Sequence, residues 1–214
     1  MGSTRSILKR LFGEEWQAML PLSAAAALCC VPLVTAGPAV LALNGVLVRL
    51  ADGRGESGRL AMFWSVFRAR FRRGLVLEGV AGLYLLTLMF SLALADHLEQ
   101  GAGLVRTAVF LSASLAAMVS VYWVILLCDS DIPVFTALWN AVCLAMACLP
   151  RSLLSAAAVW GMTLLFILLY PISVLIYTLF LLAAAAAVPA AIVWPAVDTL
   201  ILSQTRPERR DKGV

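Results

Sequence analysis

Residues 17–48 read QAMLPLSAAAALCCVPLVTAGPAVLALNGVLV, and no charged side chain stands between Glu15 and Arg49. A bilayer core asks for about 20 consecutive apolar residues in a helix, so this run exceeds one span. Pro32, Gly37 and Pro38 interrupt it. Proline lacks the backbone donor and crowds the preceding turn, so one uninterrupted helix is excluded. The layout expected here is a first helix from Gln17 to about Val34, a turn at Thr35-Ala36-Gly37, and a second helix from Pro38 to Leu50. Pro38 suits a first helical turn, where its missing N–H costs nothing.

The rest of the chain follows the same solvent logic. Of the 214 residues, 63% are hydrophobic and 13% charged, where a soluble domain carries about 25% charged. Mean hydropathy is +0.97. Further spans are expected at 75–95, 104–127, 152–170 and 172–202, with a short or interfacial helix at 133–149 capped by Asp129 or Asp131. A turn falls at Pro171, and Pro189 and Pro195 interrupt the last helix. Gly79 and Gly82, and Ser112, Ala116 and Ser120, offer small-residue packing stripes. The fold class is therefore all-α: a polytopic transmembrane helical bundle with about five long helices, a broken first hairpin at 17–50 and a basic amphipathic interfacial helix, all in one integral membrane domain.

That interfacial helix is expected at 59–73. Leu60, Phe63, Trp64, Phe67 and Phe71 share an arc of about 100° at helical spacing, and Arg59, Arg68, Arg70, Arg72 and Arg73 fill the remainder. Such a segment places rings in the acyl boundary and arginines among anionic headgroups. A lipid bilayer with anionic lipids is thus the first expected partner, and Phe63, Trp64, Phe67, Arg68, Arg70, Phe71, Arg72 and Arg73 form its expected binding surface. Residues 1–15 form a second interfacial basic segment, and 203–214 a basic tail.

The net charge of +4 sits in clusters beside apolar segments, as cytoplasmic flanks of spans require, so nucleic-acid binding is not expected. The N-terminal segment, the 49–73 loop and the tail hold three, seven and four of the sixteen cations. All three fit the cytoplasm if 17–50 is a hairpin or re-entrant segment. The termini are then cytoplasmic and the Asp96–Glu99 loop external, with five or six crossings; an N-out arrangement with five spans is the alternative.

Four strings, in order, carry a family resemblance: PLVTAGPAVLAL at 32–43, the arginine-rich loop, FWSVFRARFRRG at 63–74, and NAVCLAMACLPRSLL at 140–154. The chain resembles the YesL family of bacterial integral membrane proteins, a family of unknown function. The resemblance implies an inner-membrane location and an association with carbohydrate utilisation, with sugar-importer subunits as partners. It brings no catalytic residue.

Candidate sites are few. The turn at Thr35, Gly37 and Pro38 aims the donors of a helix N-terminus into the protein, where they could hold an anionic or hydroxyl-rich group. A structural turn capped by Thr35 is the alternative. Glu78 and Asp198 are weaker intramembrane candidates; Glu78 could pair with Arg72 or Arg73. The five cysteines lack zinc-site spacing, and His97 is the single histidine, so no metal or cofactor is expected. No nucleophile elbow or phosphate-cradling loop occurs. The expected function is a non-enzymatic accessory or interaction protein; the alternative is a small oligomeric transporter or channel.

Overall fold

A computed structural model describes residues 16–30, 32–51, 58–97, 101–130, 132–168 and 182–197. The described residues are helical throughout: α1 (Trp16–Cys30), a 3-10 turn (Leu33–Thr35), α2 (Ala36–Ala51), α3 (Arg59–Asp96), α4 (Ala102–Asp129), α5 (Val134–Ala147), α6 (Leu149–Leu168) and α7 (Leu182–Val197). The expectations for 1–15, Pro171, Asp198 and the tail lie outside the described residues.

The first hairpin breaks where its prolines demand. Thr35 N–H donates to the Pro32 carbonyl at 2.8 Å, and the Thr35 hydroxyl reaches the carbonyls of Pro32, at 3.0 Å, and Cys29. Thr35 thus serves the freed carbonyls at the end of α1 and closes the turn that launches α2. Pro38 falls in the first turn of α2, where helix geometry leaves an amide without an internal partner.

α2 is the hub. Leu41 to Val48 are all buried, and α1, α3, α4 and α7 pack around it. A helix apolar on every side must be covered on every side. At 16 residues it is about 24 Å long, short of a bilayer core near 30 Å. Protein contact, not lipid, covers its flanks.

The register of α2 on α3 is antiparallel. Gly37 lies against Gly74, and Gly45 against Val66. A Cβ on Gly37 would fall 2.3 Å from the Gly74 carbonyl oxygen, and a Cβ on Gly74 would fall 2.4 Å from the Pro38 backbone. Two backbones therefore touch at the point where α2 begins.

The sequence predicts a break near Gly74 between a surface helix and a span, and the structure differs. α3 runs unbroken for 38 residues, about 57 Å, because nothing in RRGLVLE stops a helix and Gly74 is held between neighbours. The aromatic arc is split between burial and exposure. Phe63 is fully buried and Val66, which meets Gly45 of α2, nearly so, while Phe67 and Phe71 are half-buried and Trp64 is exposed. One edge of the stripe packs within the protein at Phe63, and the other stays exposed at Leu60 and Trp64.

α4 returns along α3: Asp96 pairs with Arg106, Tyr84 with Ser112, and Arg73 with Ser130. These contacts order an antiparallel hairpin. Arg73 and Asp96 are about 35 Å apart along the helix, the thickness of a bilayer core, and only Glu78 is charged between them. α3 and α4 are both long and apolar enough to span, and the outer part of α3 is almost unpacked against its own chain. α6 runs antiparallel to α4, with Tyr122 at Ser152 and Phe110 at Trp160. α5 and α6 meet at a bend of 105°, set by Pro150, which has no N–H to continue the ladder. Ser152 Oγ lies 2.8 Å from the Ala145 carbonyl across that bend. The N-cap of α5 is Pro133, with no side-chain cap bond, and Asp129 ends α4; Asp131 lies outside the described residues.

Of the expected packing stripes, Ser112 meets Tyr84, while Gly79 and Gly82 have nothing near them. Gly74→Ala is expected to destabilise the detergent-solubilised protein by about 1–3 kcal/mol, the cost of overpacking against backbone. Gly79→Ala, in open surroundings, stays within about 0.5 kcal/mol of wild type or improves on it. Chemical unfolding followed by tryptophan fluorescence measures both.

Candidate functional site

The most specific polar contact between distant parts of the described chain joins Glu78 to the turn. The Gly37 N–H donates to Glu78 Oε2 at 3.0 Å. Gly37 is the second residue of α2, Pro38 has no N–H, and the Thr35 N–H is spent on Pro32. Glu78 therefore supplies an acceptor to an N-terminal amide of α2. The negative charge also faces the positive end of the α2 dipole, an arrangement worth about 0.3–1 kcal/mol near the surface and up to about 2 when partly buried.

Gly74 makes the contact feasible. It stands one helical turn before Glu78, so both lie on the same face of α3. Absence of a side chain at Gly74 brings Pro38 onto α3, and that approach carries Gly37 to the carboxylate. Gly37 has a Cβ position 2.8 Å from Glu78 Cβ, so a larger residue there would displace the acceptor it needs.

A second helix end near this level is treated in the opposite sense. Arg73 and Arg70 guanidinium groups donate to the Ser130 carbonyl at 2.7 and 3.1 Å. Ser130 is the C-cap of α4, where carbonyls lack internal partners and the dipole is negative. α3 thus delivers a carboxylate to the start of one helix and two cations to the end of another. Cys128 Sγ lies 3.1 Å from the Leu41 carbonyl, so α2 and α4 also meet there.

Glu78 accepts from the amide of Gly37, and Arg73 donates to the Ser130 carbonyl. Arg68 and Arg72 are exposed. Thr35, Gly37, Pro38 and Glu78 come together at one place; Asp198 lies outside the described residues. Sequence reasoning missed Gly74 and Ser130. Gly-x-x-x-Glu at 74–78 was the available signal, a missing side chain and a carboxylate one turn apart. Among the described residues no group of three His, Cys, Asp or Glu side chains could hold a metal ion.

Residues 16–92 match the family model described as "Protein of unknown function, DUF624". The resemblance to the YesL family is consistent with the match. No curated protein and no solved structure matches the chain. The DUF624 segment takes in α1, α2 and α3 as far as Leu92, and so encloses Thr35, Gly37, Pro38, Gly74 and Glu78 together. It ends before α4 begins.

Glu78→Ala is expected to cost about 1–3 kcal/mol, because the Gly37 amide loses its acceptor. Glu78→Gln keeps an acceptor and loses only the charge, and its cost falls below that of the alanine variant. Denaturant unfolding of the three proteins in one detergent tests this order; equal losses for both variants would remove the capping role.

Proposed function

We propose that this chain is a non-enzymatic accessory protein of the bacterial cytoplasmic membrane that recruits a partner on the cytoplasmic side. One observation carries the reading. α3 continues about 21 Å past Arg73 as the same helix, and there Leu60, Trp64, Arg68 and Arg72, spaced by four, form an exposed row. Apolar and cationic groups in one row on a rigid rod suit a partner that offers apolar surface with acidic neighbours. A link to carbohydrate uptake, with sugar-importer subunits as the partner, rests on the YesL resemblance.

The orientation follows from charge. Arginines beside a span favour the cytoplasm, which assigns the Arg59–Arg73 half of α3 to that side and the Asp96–Arg106 end to the other. α2 starts level with Gly74 and runs back beside Val66. In this reading α1 and α2 are a re-entrant hairpin that dips about 7 Å past Arg73, to Glu78, and returns. The chain then enters and leaves 17–50 on one side, and the basic N-terminal segment shares the cytoplasm with the arginines.

Affinity purification from native membranes is expected to recover an importer subunit with the wild-type chain, and several-fold less with the exposed pair Trp64→Ala and Arg68→Ala. Recovery of the chain alone would overturn the accessory reading. Reporter fusions at the N-terminus are expected to report a cytoplasmic location; an external signal would contradict the hairpin.

A further inference from the structure

α6 runs antiparallel to α4, which is long and apolar enough to span. If those two follow the membrane normal, the 105° bend lays α5 within about 15° of the membrane plane, by the geometry of a helix lying in the interface. Its depth is marked at both ends. Pro133 follows closely on Ser130, whose carbonyl is held by Arg70 and Arg73, and Arg151, exposed, follows the bend. α5 therefore sits at the basic rim of the spans.

Its faces are sharply divided. Ala137, Ala141, Leu144 and Ala145 are buried. On the opposite side Phe135, Trp139 and Met146 are 71%, 70% and 62% exposed, with Val142 beside them. At 100° per residue these four share an arc of about 60°. A large exposed apolar stripe on a helix calls for a cover. We infer that α5 is an in-plane helix whose Phe135–Trp139–Met146 face is sunk into the acyl and headgroup boundary of the cytoplasmic leaflet.

Lipid is the occupant that the charge favours. The rim carries exposed Arg68, Arg72 and Arg151, which attract anionic headgroups. A second copy of the chain, docked through the same stripe, would bring these arginines toward their own counterparts. Indole is also at home at this depth.

The inference rests on the reading of α4 and α6 as spans, and one experiment separates the two. The full chain is reconstituted in phosphatidylcholine–phosphatidylglycerol vesicles whose lipids carry bromine either near the headgroup or near the bilayer centre. Tryptophan quenching is compared among wild type, Trp139→Phe and Trp160→Phe. The component lost in Trp139→Phe is expected to be quenched about twofold or more better by the shallow bromines, given insertion of about 5–10 Å. The component lost in Trp160→Phe, level with Phe110 inside the span, is expected to favour the deep bromines. Phe135→Trp in the Trp139→Phe background should restore a shallow component. Deep quenching of Trp139 would make α5 a crossing segment, and absence of quenching would give its face to water or a second copy; either overturns the inference. A Trp160 component without deep quenching would instead overturn the spanning reading beneath it.

Discussion

The architecture depends on a backbone contact between two glycines. Gly37 and Gly74 let α2 and α3 touch without side chains between them, closer than any residue with a Cβ would permit. A helix as apolar as α2, too short to face lipid along a full crossing, survives only if protein covers it. The glycine contact draws its first turn onto α3, and Val66 of the same helix meets it again two turns on, at Gly45.

Once the two backbones meet, α3 becomes the electrostatic frame for its neighbours. Its Glu78 serves the amide end of α2, and Arg70 and Arg73, earlier on the same helix, serve the carbonyl end of α4. Each charge sits at the helix end whose dipole it opposes. Burial of helix ends in an apolar setting leaves amides and carbonyls that water does not reach, and one unmet group costs about 1–3 kcal/mol. The charged residues within the otherwise apolar bundle are therefore intelligible as caps. The same residues mark depth: polar contacts at Asp96–Arg106 and at Arg73–Ser130 bracket a length of α3 that is apolar apart from Glu78 and fits a bilayer.

Much of this was legible from residue order. The helical class, the break at Pro32 to Pro38, the α3–α4 hairpin and the bend near Arg151 all follow from proline placement and charge spacing. Thr35, Gly37 and Pro38 were singled out as one turn, and Glu78 separately as an intramembrane carboxylate. What joined them was Gly74, which looks in the sequence like the end of an arginine run. A glycine inside a helix declares only that a side chain is missing, not what takes its place; Gly79 and Gly82, five and eight residues on, have open space where Gly74 has Pro38. The facing of the aromatic stripe was illegible for a related reason. Helical periodicity gives the direction in which Phe63 points, and the identity of the surface there, protein or lipid, is settled only when α2 is set beside it. Trp139 and Phe135 carry the converse lesson, since the same kind of periodicity on α5 finds no protein opposite.

The central claim is that the Glu78 carboxylate caps α2 across the Gly37–Gly74 contact. Solid-state NMR on the chain in lipid, with ¹⁵N-glycine and ¹³Cδ-glutamate, measures that pair through its dipolar coupling, and subtraction of a Glu78→Gln sample isolates it. The 3.0 Å separation of Gly37 N and Glu78 Oε2 predicts an N–Cδ distance of about 4 Å from ordinary hydrogen-bond geometry. Coupling that corresponds to a distance beyond about 6 Å, outside hydrogen-bond reach, would contradict the account.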